Sequence, residues 1–323
     1  MTDRLTDTAA PNPDAKTPRG SDLDGASRLP ATQAEPHVVS SEDEGRLERL
    51  TRVCVDDVVS AFGLGGVDRG RLVLEALSRV PARRLARQVL AFDGVVGEAG
   101  LGAGGAWALT KLCRSASIKG RDNVPREGPV LLVSNHPGLA DAVAVFAATP
   151  REDLRVIAAE RPFLDALPNT SRYLLTVAEA STGRPGVVRA AARHLRGGGA
   201  VLTFPRGEIE PDPAVLPGAV EALGSWSSSA DLFARLAPGL AIVPVVVSGV
   251  ISPKALRIPL TRLRRRKRDR EWLAATLQML TPALRDVDAR VQFGCPIHAG
   301  TRGGIGEAVI EETRRLMENS QMV

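Results

Sequence analysis

The chain has 323 residues, which is enough for one large domain or two smaller ones. It carries 42 Lys and Arg against 37 Asp and Glu, a net charge of +5, and because residues 1–45 hold a local charge of −5 the remainder is near +10. A basic balance favours an anionic partner, such as nucleic acid, an anionic membrane surface or a phosphorylated small molecule. Only 11 residues are aromatic and they are not interleaved with basic residues, which disfavours a protein that stacks single-stranded bases, so we expect no nucleic acid partner.

The cysteines and the apolar segments indicate where the protein resides. Cys54, Cys113 and Cys295 lie far apart without a C-x-x-C motif, so neither a zinc ribbon nor a disulfide framework is encoded. No uncharged apolar stretch reaches the roughly 18 residues that a membrane-spanning helix needs. The N-terminus is polar and acidic and has no basic, apolar signal region. We therefore expect a cytoplasmic protein without a membrane-spanning helix.

Two segments precede the first strand. Residues 1–45 combine prolines, small polar residues and an excess of acids, and they are predicted to form a disordered acidic tail because they bury too little apolar surface to offset the entropy of ordering. From residue 46 to about 114 apolar residues recur at spacings of three and four, which predicts an N-terminal helical region. Gly63–Gly70 and Gly97–Gly105 are predicted to separate its helices.

Residues 115–323 are predicted to form an α/β domain, a mostly parallel sheet flanked by helices. Short, continuous apolar runs alternate here with helix-like segments, a pattern typical of parallel strands buried on both faces; the runs are 129–134, 154–159, 174–179, 200–204 and 241–247. Pro244 lies inside the last run, which predicts an edge or irregular strand. In open α/β sheets ligands bind beyond the carboxyl ends of the strands, so chemistry is expected directly after these runs.

The first run ends in Ser134-Asn135-His136-Pro137-Gly138 and is followed by Asp141 at the start of a helix-like segment. A tight Pro-Gly turn can bring the Asp141 carboxylate back to the His136 imidazole. Such a pair acts as a general base, because the carboxylate fixes the tautomer and stabilises the imidazolium that forms. The alternative is an ordinary turn in which Asp141 serves only the helix N-terminus.

Two arginines follow strands in the same half of the chain. Arg206 stands in Phe204-Pro205-Arg206-Gly207-Glu208-Ile209-Glu210-Pro211, directly after residues 200–204, and Arg184 stands in Ser-Thr-Gly-Arg-Pro-Gly. Guanidinium groups at these positions suit bidentate capture of a phosphate. The alternative is that both are solvated loop charges.

Taken in order, these segments resemble the glycerophospholipid acyltransferase family, which includes glycerol-3-phosphate and lysophosphatidic acid acyltransferases. Its leading signature, Asn-His followed after four residues by Asp, is matched by Asn135, His136 and Asp141. Its Phe-Pro-Glu-Gly-Thr-Arg, Val-Pro-Val and Gly-x-Pro-Ile elements correspond to residues 204–209, 243–245 and 294–297. The resemblance covers about residues 115–318.

The resemblance implies direct transfer of a fatty acyl group from acyl-CoA or an acyl-carrier protein to a hydroxyl of a lysophospholipid or glycerol phosphate. His136 and Asp141 would be catalytic, and the implied substrate-binding residues are Asn135, Arg184, Phe204, Pro205, Arg206, Gly207 and Glu208. Neither a metal nor a redox cofactor is implied. The chain departs from the family where Arg206 replaces the usual Glu and Glu208-Ile209 replaces Thr-Arg, in the block that helps to hold the acyl acceptor.

Other classes of protein fit the sequence less well. A serine hydrolase lacks its G-x-S-x-G elbow, and the Gly100–Gly105 run follows no strand, which disfavours a dinucleotide site. His37, His194 and His298 are scattered without the spacing of metal ligands. The alternative from another class is a membrane-surface lipid-binding protein that keeps the acyltransferase fold but has lost turnover.

A basic run is the remaining feature. Residues 261–270 contain seven basic residues and one acid and lead into a helix-like segment with Trp272. We predict that Arg264, Arg265, Arg266 and Lys267 contact anionic lipid, since each basic residue near such a surface contributes about 1 kcal/mol, and that the protein binds the membrane peripherally. The alternative is a solvated basic loop.

Overall fold

The structure, a computed structural model, describes residues 41–64, 71–138, 140–177, 184–298 and 304–321. The helices are α1 Ser41–Phe62, α2 Arg71–Leu112, α3 Asp141–Ala148, α4 Pro162–Asp165, α5 Pro168–Ser171, α6 Arg184–Arg196, α7 Ala219–Ala222, α8 Ser229–Leu236, α9 Pro253–Leu256, α10 Lys267–Leu280 and α11 Ile305–Gln321. The strands are β1 Ser115–Lys119, β2 Val130–Ser134, β3 Arg155–Ala159, β4 Leu174–Val177, β5 Ala200–Thr203, β6 Ala241–Ser248, β7 Asp288–Phe293 and β8 Ile297–His298.

The first helix begins earlier than the sequence predicts. Residues 41–45, assigned to the disordered tail, belong to α1, and the rest of the predicted tail, residues 1–40, lies outside the described residues. Asp43 and Glu44 stand in the first turn, where negative charge is favourable at the positive end of the helix dipole, so the acids that suggested a tail favour a helix start.

A buried carboxylate joins the N-terminal helices to the α/β part. Asp93 on α2 accepts hydrogen bonds from the backbone N–H and the hydroxyl of Thr170, each at 2.8 Å, and from Arg46 of α1 at 3.0 Å. Apolar residues of α2, among them Phe92 and Val96, lie in the same core as strand residues such as Leu132. The helical region is therefore packed against the sheet. Among the helices described, none combines the length and the low charge that crossing a membrane requires.

The glycines at 97–105 separate two helical parts, as predicted, because the backbone at Gly100 is not helical. They lie within α2, which is kinked at Gly100, where φ is 84°. At Gly105 a Cβ would lie 2.6 Å from the carbonyl oxygen of Val143 and 2.7 Å from the backbone nitrogen of Ala147, both on α3. Only a residue without a side chain allows this approach. The glycines let α2 pack closely on the helix that follows the Asn-His signature. Of the other predicted break, residues 65–70 lie outside the described part.

The sheet confirms the predicted α/β class. Its strands run in the order β1-β7-β6-β2-β5-β3-β4, and β8 also pairs with β6. The pairs β2–β5, β2–β6, β3–β5 and β3–β4 are parallel, whereas β7 and β8 are antiparallel to β6. Every residue of β2, β5 and β6 is buried, as their continuous apolar runs predict.

The prediction that Pro244 marks an edge or irregular strand is wrong. Strand β6 lies inside the sheet, between β2 and β7. Pro244 directs its carbonyl, which accepts from the Gly294 N–H at 2.8 Å, toward the joint between β7 and β8. The N–H and C=O of one residue point to the same side of a strand. The N–H that proline lacks would therefore also point to the break between β7 and β8, so its absence removes no hydrogen bond between strands.

The two faces of the sheet are covered by different helices. Val130 and Leu132 of β2 face a core completed by α2, α3 and α10, whereas Leu131 and Val133 face a second core completed by α6, α8 and α11. This alternation follows from the two-residue period of a strand. The central strands are therefore held from both sides, and their carboxyl ends are fixed relative to one another.

Candidate active site

The predicted site residues lie beyond the carboxyl ends of three central strands. His136 follows β2, the segment beginning at Phe204 follows β5, and Gly249 follows β6. Because β5, β2 and β6 are neighbours and parallel, these three segments emerge at one edge of the sheet. The sheet topology therefore brings together residues that are more than 100 positions apart in the chain.

His136 and Asp141 form the pair that their spacing predicts. The imidazole Nδ1 lies 2.7 Å from Asp141 Oδ2, and the Asp141 side chain is fully buried whereas that of His136 is 28% exposed. The same carboxylate accepts from the backbone N–H groups of Gly138 at 2.9 Å and Ala142 at 2.5 Å. Asp141 is thus held rigidly at the start of α3, with one oxygen directed at the histidine.

The hydrogen bond fixes the tautomer of the neutral ring. Since the Asp141 carboxylate only accepts hydrogen bonds, Nδ1 carries the proton and Nε2 keeps its lone pair. Within the described residues no side chain bonds Nε2. Burial by itself lowers the pKa of His136, but the charge and hydrogen bond of Asp141, together with the charge of Glu210, outweigh it and raise the pKa above the ordinary value. This arrangement suits a base that accepts a proton at Nε2.

Glu210 holds the backbone of His136. Its Oε2 accepts from the His136 N–H at 2.8 Å, and its own N–H donates to the His136 carbonyl at 2.8 Å. The second carboxylate oxygen accepts from the indole N–H of Trp226 at 2.7 Å. Burial raises the pKa of Glu210, and the hydrogen bonds from Trp226 and His136 and the charge of Arg206 oppose this increase.

Asn135 ties β2 to β6. Its amide nitrogen donates to the Val247 carbonyl at 2.9 Å and its amide oxygen accepts from the Val247 N–H at 2.8 Å, so the side chain replaces one step of strand pairing. The residue is completely buried. This geometry favours support of the neighbouring histidine over the substrate contact that the resemblance implies, which stays a prediction.

The segment after β5 forms one wall of the site. Phe204 packs its ring on the His136 imidazole with the centroids 4.7 Å apart. The Gly207 N–H donates to the Phe204 carbonyl at 3.0 Å, closing a turn through the buried Pro205, and Gly207 takes a φ of 71° that favours glycine. The turn fixes the phenyl ring that confines the histidine.

The charged residues of this turn have different environments. Arg206 is half-buried and near enough to Glu210 to affect that carboxyl's titration, whereas Glu208 is exposed and pairs with Arg268 of α10 at 3.1 Å. Arg184 begins α6, and its side chain lies outside what the structure describes. The predicted substrate-binding roles of these residues stay predictions.

The sequence did not single out Glu210 or Asp212 as contributors to the site. Asp212 is fully buried and accepts four backbone N–H bonds, from Ala214 and Gly249 at 3.0 and 2.9 Å and from Val250 and Ile251 at 2.8 and 3.0 Å. It therefore joins the segment after β5 to the one after β6. In the sequence these two residues belong to a series of acids at alternate positions after β5, Glu208, Glu210 and Asp212. The series by itself does not show which of the acids are buried.

The basic run lies beside the end of α1. Arg264 is half-buried, pairs with Asp269 at 2.9 Å and lies so close to Gly63 that a side chain there would overlap its guanidinium. Residues 265–267, by contrast, are exposed. Leu263, 66% exposed, and Trp272, 47% exposed, lie on either side of them in the chain. Of the four predicted lipid contacts, Arg264 thus has a structural partner, and the exposed Lys267 lies 3.8 Å from Glu271 of α10.

The comparisons with known proteins place this site in an enzyme class. The family model described as Acyltransferase matches residues 115–248, which contain the His136–Asp141 pair and strands β1 to β6. No curated protein matches the sequence of the chain. Among solved structures, the chain is similar to the 1-acyl-sn-glycerophosphate (LPA) acyltransferase PlsC from Thermotoga maritima, with 16% identity, a TM-score of 0.40, and coverage of 86% of this chain and 97% of that one.

In the part of the chain that the family model covers, the fold and the site belong to an acyltransferase domain. The match confirms the expected enzyme class for residues 115–248, and the narrower resemblance to the glycerophospholipid acyltransferases stays a prediction. The expectation that no metal or redox cofactor takes part stays a prediction.

Proposed function

We propose that the protein transfers a fatty acyl group from acyl-CoA or an acyl-carrier protein to a hydroxyl of a lysophospholipid or glycerol phosphate. The observation that carries this proposal is the 2.7 Å contact between His136 Nδ1 and Asp141 Oδ2 at the carboxyl end of β2. It leaves Nε2 as the proton acceptor of a side chain that is 28% exposed. The acyltransferase domain match supports acyl transfer as the reaction.

In the proposed mechanism His136 Nε2 removes the proton of the acceptor hydroxyl while Asp141 stabilises the imidazolium. The acceptor oxygen attacks the thioester carbonyl and forms a tetrahedral oxyanion. When this collapses, the carbon–sulfur bond breaks and the thiolate takes the proton from the imidazolium. An ester and a free thiol result, and His136 returns to its neutral form. The enzyme forms no covalent intermediate.

An anionic acceptor is part of the proposal. Arg206 lies half-buried in the turn that confines His136, a position suited to a phosphate near the reacting hydroxyl. We expect release of free CoA from acyl-CoA to depend on an added acceptor, and lysophosphatidate or glycerol 3-phosphate to be preferred over an uncharged monoacylglycerol. The measurement is thiol release with each acceptor. Absence of release with every acceptor and either donor would favour the lipid-binding alternative.

The variant Arg206→Glu makes this test specific. It should raise the acceptor KM far more than the acyl-donor KM, because it places a like charge at the phosphate. The matched control is Arg193→Glu, the same change on the exposed outer side of α6, which should leave both KM values unchanged. An unaltered acceptor KM in Arg206→Glu contradicts the anionic assignment.

We further propose that the exposed part of the basic run holds the enzyme reversibly on anionic membranes. Replacing Arg265, Arg266 and Lys267 by Ser should reduce co-sedimentation with vesicles containing phosphatidylserine, and wild-type binding should weaken with salt because charge pairing is screened within a Debye length of about 8 Å at physiological ionic strength. Arg264 is retained because it packs on Gly63.

The control for this test removes the same charge elsewhere. Arg189, Arg193 and Arg196 are exposed on α6, and their replacement by Ser should leave vesicle binding close to that of the wild type. Equal loss in both triple variants would indicate a general charge effect. Equal binding by the wild type and the 265–267 variant at low salt would contradict the proposed contact.

A further inference from the structure

Glu210 is a buried carboxylate in contact with His136 that neither the family signature nor the proposed mechanism uses. It is 3% exposed and lies on the segment after β5, 74 residues beyond the histidine. The two residues share a pair of backbone-directed hydrogen bonds, one from the His136 N–H to the Glu210 side chain and one from the Glu210 N–H to the His136 carbonyl, both 2.8 Å. The two peptide groups that flank the His136 Cα are thus both held by Glu210.

A structural carboxylate could hold the loop without affecting the histidine ring. Here both oxygens of Glu210 face donors, the His136 N–H and the Trp226 indole N–H, and a carboxylate is the side chain that accepts from two donors at once. The indole therefore fixes the orientation of the carboxylate that in turn fixes the histidine backbone. This chain of contacts explains why a glutamate is needed and a glutamine would fit poorly.

We infer that Glu210 is a positioning residue for the His136 base, which it holds through the histidine backbone while placing a second negative charge beside the pair formed with Asp141. The inference rests on the proposed function in assigning His136 as the base. Of the two glutamates in this segment, Glu210 is the one whose carboxylate reaches His136. Glu208, the other candidate, is exposed and pairs with Arg268.

The charged groups around the histidine make this role measurable. Asp141 and Glu210 both raise the pKa of His136, against the effect of burial, and Arg206 is the basic residue that acts on Glu210 from the same turn. Loss of the Glu210 charge should therefore lower the pKa of His136. A carboxylate that merely supported the loop would change the stability without changing this titration.

The experiment compares Glu210→Gln with Glu221→Gln, an identical change at an exposed position on α7. We expect Glu210→Gln to lower kcat roughly tenfold or more while both KM values stay within about twofold, because a small displacement of a catalytic group is costly in rate. The pKa of His136, followed by NMR of its ring proton and assigned with His136→Ala, should fall. Glu221→Gln should change neither quantity, and Glu208→Gln should leave the His136 titration unaltered.

A second variant separates the charge from the fold. In Glu210→Gln the amide NH₂ must face one of two N–H donors, so stability is expected to drop. Trp226→Phe removes one donor, and in the double variant the thermal midpoint should recover to that of Trp226→Phe alone while kcat and the His136 pKa remain low. Recovery of all three together would overturn the inference, as would a His136 pKa in Glu210→Gln equal to that of the wild type. If the wild type transfers no acyl group, the proposed function fails. The NMR titration of His136 in Glu210→Gln then tests by itself whether Glu210 acts on the histidine.

Discussion

The variant His136→Ala is expected to lose acyl transfer, with a rate reduced about 10² to 10⁴ fold or below detection. General acid–base catalysis contributes a factor of this size, and the variant removes the Nε2 lone pair that the Nδ1–Asp141 hydrogen bond leaves to accept the proton. The measurement is acceptor-dependent thiol release by purified protein, with circular dichroism to show that the fold is intact. Near-normal turnover by a folded His136→Ala protein would contradict the mechanism.

Asp141→Asn changes the partner of His136 and is tested by the pH dependence of the transfer rate. The base must be neutral to act, so the wild-type rate should fall as the pH drops through the pKa of His136, which lies above the ordinary value for histidine. The amide that replaces the carboxylate carries no charge, so the pKa of His136 falls and this acid limb should move to lower pH, while the maximal rate decreases because the tautomer is no longer fixed. An acid limb that does not move would show that another group controls it.

Asp212→Ala is expected to give the largest loss of stability among single changes around the site. It would leave four buried backbone N–H groups without their acceptor, and each such group costs about 1 to 3 kcal/mol before any compensation by water. With partial hydration we expect the free energy of unfolding to fall by on the order of 3 kcal/mol. Denaturant unfolding measures this directly.

The matched control is Asp122→Ala, which removes an exposed carboxylate from the turn after β1. It should change the free energy of unfolding by about 0.5 kcal/mol or less, since exposed substitutions usually do. A similar loss in both variants would mean that Asp212 does not anchor the two segments. Because Asp212 joins the segments after β5 and β6, its substitution should also reduce transfer activity at temperatures where the protein is still folded.

The sequence by itself determined the elements whose signals are local. Continuous apolar runs are typical of strands buried on both faces, and the runs at 129–134 and 241–247 form β2 and β6, which are buried at every residue. The five-residue spacing from His136 to Asp141 was likewise sufficient, since a Pro-Gly turn and a helix start leave little freedom between them. The domain match to acyltransferases agrees with these elements.

Only the tertiary structure decided the features that depend on distant partners. Pro244 is tolerated inside the sheet because the joint between β7 and β8 needs no donor there, and that joint is formed by residues about 50 positions later. Glu208 and Glu210 have the same side chain two positions apart, yet one is exposed and the other is buried against His136. The turn geometry and the Trp226 donor decide between them. Burial and hydrogen bonding are properties of the packed chain, and no local pattern encodes which of two neighbouring acids will find its donors.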